Sequence, residues 1–213
     1  GLKELWEVAP EKHEQGVVMH GLGWPLTETG STGGWWLYFD ENNQVSFGLV
    51  ADLSYHNPYM SPFDEMQRLK THPVIKNVLE GGKRISYGAR ALTKGGLNSL
   101  PKFTFPGGVL VGDDAGFLNP AKIKGTHTSM KSGMLAAEAT FEALQAGREH
   151  DEVVSYTTMY KESWLYQDNY ESRNFSPAIH RMGLFMGGAF TFIEHNLLKG
   201  KMPFTLHDNL PDY

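Results

Sequence analysis

Residues 107–133, GGVLVGDDAGFLNPAKIKGTHTSMKSG, leave the backbone few choices. The apolar run Val109-Leu110-Val111 is bounded by Gly107, Gly108 and Gly112. Such a run between glycines reads as a buried central strand. Asp113 follows at its carboxyl edge, where open α/β sheets bind ligands. Residues 113–124 read as a loop. From Thr126 a helix pattern begins: Met130, Met134, Ala137, Phe141 and Leu144 recur at steps of four and three, and Gly147 closes it. Ser129, Ser132, Gly133 and Ala136 keep part of that helix small, which suits close packing on a sheet or a ligand. Asp113 can accept hydrogen bonds from a ribose or ribityl hydroxyl. The N–H groups and dipole at the helix start, Gly125-Thr126, favour negative charge. An ordinary β–loop–α unit with a capped helix would read the same way.

Upstream the period changes. Trp35, Leu37 and Phe39 alternate with Trp36, Tyr38 and Asp40, and after residues 41–44 the alternation resumes at Val45, Phe47, Leu49, Ala51 and Leu53. Period two in both runs predicts a hairpin with one bulky apolar face, inside β structure covering residues 15–55. Ser61-Pro62 with Asp64 and Glu65 predicts a helix start: a cap, a proline, and acids in the first turn. That helix ends near Thr71, because His72 precedes Pro73. A helical turn to Leu79, a break at Gly81-Gly82 and an extended run over residues 83–92 follow.

Past the 126–147 helix, residues 149–172 read as a second helical stretch, with Tyr156, Tyr160 and Trp164 four apart, and Pro177 interrupts it. Residues 179–198 are mostly apolar, and the 12 residues 182–193 carry no charge. A spanning helix needs roughly 20 apolar residues, so this is a buried or an interfacial helix. Leu184, Phe185, Phe190 and Phe192 supply the apolar mass of an interfacial one, and Arg181 and Lys199 flank it.

Composition closes other routes. Net charge is −5, with no Lys/Arg cluster, which argues against a nucleic-acid partner. There is no cysteine, so this stretch holds no disulfide, thiolate metal site or iron–sulfur ligand. The nine histidines are scattered without H-x₃-H spacing, and no metal site is expected. Gly-Gly pairs at 33, 81, 95, 107 and 187 serve turns or admit a ligand to the backbone. The chain starts at Gly1 without methionine and is expected to be a piece of a longer one.

Six strings carry a resemblance to a known family. GWPL (23–26), TGGWWLY (32–38), YHNPYMSPF (55–63), LEGGKRISYGARAL (79–92), KFTFPGG (102–108) and KIKGTHTSMKSG (122–133) occur in order. The segment at 107–133 is similar to the second FAD motif of glutathione-reductase-like flavoproteins. Together the strings resemble the electron-transfer flavoprotein:ubiquinone oxidoreductase family. The resemblance implies an FAD enzyme, peripheral or monotopic on an inner membrane, facing the bacterial cytoplasm or the mitochondrial matrix. It would pass electrons from electron-transfer flavoprotein to ubiquinone. By the same resemblance Gly33-Gly34 touches the quinone, with Trp35 and Trp36 beside it. Gly112 and Asp113 lie along the flavin's ribityl chain, and Gly125 and Thr126 at the isoalloxazine's pyrimidine edge.

Two family features are missing from the sequence. No G-x-G-x-x-G follows a strand, so the chain alone is expected to hold FAD poorly. The [4Fe–4S] cluster expected in the full protein has no cysteines here. The fold class expected is α/β (α+β): a mixed-sheet quinone domain over 1–97, the C-terminal part of an FAD domain over 98–150, and a helical segment that can lie on a membrane over 151–213. Two alternatives remain open at this point: a geranylgeranyl-reductase-like flavoprotein acting on a lipid, and a non-catalytic membrane-docking module.

Overall fold

The computed structural model describes residues 1–208. The chain forms two compact units, the first Gly1–Ala91 and the second beginning at Leu92.

The first unit is built on a five-stranded sheet. Its strands are β1 (Leu2–Glu7), β2 (Val18–Leu22), β3 (Gly33–Phe39), β4 (Gln44–Ala51) and β5 (Lys83–Ala89), in the order β2-β3-β4-β1-β5. The hairpin read from the alternation is β3–β4, with Leu37 opposite Phe47 and Phe39 opposite Val45. Every pairing is antiparallel. The expected class holds, and the sheet is uniform rather than mixed, because each neighbouring pair runs in opposite directions and none needs a βαβ crossover.

One sheet face is apolar. Leu37, Val45, Phe47 and Leu49 are fully buried there. Two helices cover it: α1 (Pro62–Leu69) and α2 (Pro73–Leu79) bring Met66, Leu69, Ile75 and Leu79. Ser61 caps α1 by accepting from the Asp64 N–H at 3.3 Å, as its sequence predicts. The imidazole of His72 does the same for α2, accepting from the Val74 N–H. Glu4 sits buried beneath these elements, accepting hydrogen bonds from Trp6 Nε1, Lys70 Nζ and Arg84 Nη1 at 2.8–3.2 Å.

The second unit corrects three expectations. First, residues 107–112 are not a central strand. They contribute only β7 (Gly108–Val109), paired with β6 (Thr104–Phe105), and Gly112–Ala115 is a 3-10 turn. A central strand needs a partner on each edge, and the described residues offer one short neighbour. Second, α3 (Thr126–Gln145) packs through the small-residue surface that Ser132 and Ala136 mark, and its periodic apolar stripe is left outside. Met130 and Phe141 are 66 % and 62 % exposed, while Thr128, Ser132, Leu135, Ala136, Ala139 and Ala143 are buried. The partners are aromatic: Phe103 meets Phe117, Tyr156 and Tyr160 edge-on at 5.3–5.4 Å between centroids. Only the small-residue stripe of α3 leaves room for those rings.

Third, the helical stretch after residue 149 is two helices, α4 (Val154–Glu162) and α5 (Trp164–Glu171), broken at Ser163. Pro177 does not interrupt a helix. It lies in the first turn of α6 (Phe175–Asn196), where N–H groups have no intrahelical acceptor and a proline is tolerated. Arg173, 3 % exposed, precedes α6 and donates to the carbonyls of Tyr170, Gly200, Met202 and Phe204 and to the Thr205 hydroxyl. It thereby folds residues 200–205 back onto the unit.

Burial pushes the hydroxyls of Tyr156 and Tyr160 up to about 12. The folded pKa lies above the ordinary value of 10, so this stability is complete below pH 10 and lost as pH climbs toward 12. The Tyr160 hydroxyl makes no hydrogen bond of normal geometry. Tyr160→Phe should therefore hold stability within about 1 kcal/mol at pH 7. It should also flatten the loss of stability between pH 10 and 12. Urea melts across that range are the measurement.

Candidate functional site

The Gly33-Gly34 pair opens β3. A Cβ on Gly33, whose φ is +153°, would stand 2.1 Å from the Val50 carbonyl oxygen. One on Gly34 would stand 2.7 Å from the Gly21 carbonyl oxygen and 2.9 Å from Leu22 Cδ2. The neighbouring strands alone therefore demand glycine here. The two tryptophans that follow point to opposite faces, as strand geometry requires. Trp35 packs toward the buried core and lies over Gly21, whose added Cβ would fall 2.1 Å from the indole. Trp36 lies on the outer face over Gly48, again 2.1 Å from where a Cβ would be. Beside it Tyr38 hydrogen-bonds His20 Nε2 at 2.9 Å, and Val18 and Leu22 are exposed. The outer face of β2–β3–β4 is thus a flat aromatic surface edged with polar groups.

In the second unit the sequence-predicted quartet comes together. Gly112, at φ +62°, donates its N–H to Ser132 Oγ at 2.9 Å. Asp113 follows and accepts from Ser129 Oγ at 3.4 Å. Gly125 is the N-cap of α3, and a Cβ there would be 2.4 Å from Asp113 Oδ1. The missing side chain is what lets the carboxylate sit against the helix start. Gly125 has no side chain with which to cap α3, and the N–H groups of Thr126 and its successor lie in a first turn without intrahelical acceptors. A carboxylate acceptor beside a run of donors suits the hydroxyl and imide edges of a flavin.

A third feature was not read from the sequence. Asp168, on α5, gathers the loop leading into α3. Its carboxylate accepts from Asn119 Nδ2 at 2.8 Å, pairs with Lys122 Nζ, and lies 3.4 Å from His127 Nε2. His127 in turn stacks on Trp164, ring planes 6° apart. Burial alone would raise the Asp168 pKa. The Lys122 ammonium, aided by Asn119 and His127, outweighs it and holds the carboxyl below its ordinary value. These contacts join residues 41 to 49 apart in sequence, and no local pattern reports them.

The apolar helix α6 is broken at Gly183, which takes φ 73° and ψ 177°. Beyond the break Phe185 is 90 % and Phe192 65 % exposed, with Met186, Ile193 and Leu197 on the same side. Leu184 and Phe190 are half-buried, and Phe190 stacks on Phe204 at 6.4 Å. Two of the four expected interfacial residues thus face outward and two face the unit. Among the described residues no helix is long and apolar enough to cross a membrane.

Residues 1–92 match the family described as "ETF-QO, ubiquinone-binding". The whole chain aligns at 60 % identity over 230 residues with the probable electron transfer flavoprotein-ubiquinone oxidoreductase of Acinetobacter baylyi. It aligns at 61 % over 214 residues with the enzyme of that name from Pseudomonas aeruginosa. The chain belongs to the electron transfer flavoprotein-ubiquinone oxidoreductase family. It covers all of itself but only 40 % and 39 % of these two relatives. The rat member of the family, named as mitochondrial, is 48 % identical over 97 % of the chain and 35 % of its own length. A crystal structure of a geranylgeranyl bacteriochlorophyll reductase-like protein from Thermoplasma acidophilum shares the fold, at TM-score 0.61 and 20 % identity. That match covers 90 % of this chain and 46 % of the other. Identity of about three residues in five with ubiquinone oxidoreductases, against one in five here, sets aside the lipid-reductase alternative.

For this family member the crowding at Gly33 has a direct consequence. Gly33→Ala should destabilise the first unit by about 3 kcal/mol, through backbone overlap and strained φ together. Denaturant unfolding of the chain followed by tryptophan fluorescence measures it.

Proposed function

We propose that this chain is the quinone-binding region and part of the flavin-binding half of an oxidoreductase. The intact enzyme takes electrons from electron-transfer flavoprotein and delivers them to ubiquinone at a membrane surface. The observation that carries the proposal is the 60 % identity, along the whole chain, to a relative named for that reaction. Residues 1–97 form the quinone-binding part, residues 98–150 belong to the FAD domain, and residues 151–213 carry the membrane-facing helix. FAD, when bound, supplies the electron transfer between donor and quinone. The [4Fe–4S] cluster of the intact enzyme would be ligated by residues other than these.

Each site residue has a role that follows from its chemistry. Asp113 would accept from a ribityl hydroxyl, and Gly112, whose N–H is held by Ser132 Oγ, would let that chain approach the backbone. Gly125 and Thr126 would offer backbone N–H donors to the flavin's pyrimidine edge, and a helix start there would favour negative charge. A quinone has two carbonyl acceptors and no charge, and needs a flat apolar slot with few polar anchors. Gly33-Gly34 brings backbone close to such a ring, Trp36 offers an indole face, and Trp35 fixes the strand from the core side.

Gly34→Val would disturb the sheet as well as the site, because its Cβ meets the Gly21 carbonyl. Trp36→Leu on the outer face is the cleaner variant. In the intact enzyme it should raise the quinone KM about tenfold, the weight of one lost aromatic contact. Flavin content and reduction by electron-transfer flavoprotein should stay unchanged. Wild-type quinone kinetics in that variant would remove the outer face from the quinone site.

The outward side of α6 supports membrane docking. Phe185 and Phe192 present apolar surface to one side, and Arg181 and Lys199 stand at its ends to reach headgroups. Replacing both phenylalanines with Asp in the intact enzyme should move it from the membrane fraction to the supernatant in vesicle sedimentation, with its melting temperature kept. Unchanged partitioning of the folded variant would assign the helix to a protein contact.

A further inference from the structure

We propose that Asp168 is a positioning residue of the flavin site: from α5 it clamps the Asn119–Lys124 loop and His127, and so fixes the direction of the Gly125 and Thr126 N–H groups. The inference rests on the flavin reading above and assigns a role to a residue that does not itself touch the flavin.

The geometry converges on one carboxylate. Asn119 is buried, and its side-chain oxygen accepts from the N–H groups of Ala121 and Lys122 at 3.0 Å, which sets the turn of the loop. Its amide nitrogen donates to the Asp168 carboxylate and to the Asp168 carbonyl. Its own N–H donates to the Lys124 carbonyl, closing the loop one residue before Gly125. Lys122 and His127 approach the same carboxylate from the loop and from the first turn of α3. Asp168 thus binds the residues before and after the Gly125-Thr126 peptide, while the peptide itself carries no side-chain cap. Donors aimed at developing charge act through their fixed direction, so a group that sets the direction sets the effect.

The test uses the intact flavoprotein. Asp168→Ala removes all three side-chain contacts, Asp168→Glu keeps the charge on a longer arm, and Lys122→Met removes one partner at an exposed position. Asp168→Ala should weaken FAD binding about tenfold or more, the effect of losing a charge-assisted hydrogen bond. Amide hydrogen exchange over residues 119–127 should quicken while that of β3 and β4 does not. In Asp168→Glu and Lys122→Met, FAD should remain stoichiometric while the ratio of affinities for reduced and oxidised flavin shifts. A purely structural clamp would leave that ratio fixed. If Asp168→Ala does not fold, these two variants decide. Faster exchange over 119–127 with unaltered flavin affinity and ratio in every variant would overturn the proposal and leave the flavin reading standing. A wild-type protein that binds no flavin would overturn both.

Discussion

Ring against glycine or alanine is the contact on which both units depend. In the first unit each tryptophan of β3 lies across a glycine of a neighbouring strand, Trp35 over Gly21 and Trp36 over Gly48. In the second, Phe103, Tyr156 and Tyr160 need the Ala/Ser stripe of α3. A large side chain on the receiving element would meet the ring at well under van der Waals distance. An indole spread over a strand also excludes water from backbone that glycine would otherwise leave open. The same contact creates the outer aromatic face of the sheet, so packing and the candidate quinone surface share one cause.

Buried charge is handled differently in the two units. Glu4 is neutralised by Lys70 and Arg84 and bonded by Trp6. The five acceptors of Arg173 are carbonyl and hydroxyl oxygens, without formal charge. A guanidinium has five N–H donors, and this arrangement uses them in a planar fork that also lies over the Tyr170 ring, 3.8 Å from its centroid. Asp168 stands between these cases, half-buried, with one cation and one imidazole beside it. Each of the three ties together segments distant in sequence where apolar contact alone would not fix direction.

The β3–β4 hairpin, α1 and β5 were legible because their signals are local: alternation, a Ser-Pro start with first-turn acids, a glycine break. The working face of α3 was legible only in part. Its exposed stripe holds the large residues Met130, Met134, Phe141 and Leu144, so periodicity favours the outer side, while Ser132 and Ala136, read as a surface small enough for close packing, mark the buried side with Thr128, Leu135, Ala139 and Ala143. Residues 107–112 misled for a related reason: an apolar run announces burial, whereas a strand is made by its neighbours. Asp113 and Gly125 were found as a pair because strand end and helix start bracket them in sequence. The clamp from Asp168 lies more than 40 residues from its partners and leaves no periodic trace.

The backbone break at Gly183 divides α6 into two pieces. Before it, Ser176, Pro177 and Ala178 are buried in the unit; after it, Gly187, Thr191 and Glu194 are buried on one side while Phe185, Met186 and Phe192 face out on the other. A continuous rod would carry its second half away from its first. The joint at residue 183 instead lays the second piece against the first, where Gly187 meets the Ala178 backbone and Glu194 accepts from Asn174 Nδ2 at 2.6 Å. Glycine there acts as a fold line: it leaves one apolar side of the helix facing out without loosening the side that is buried.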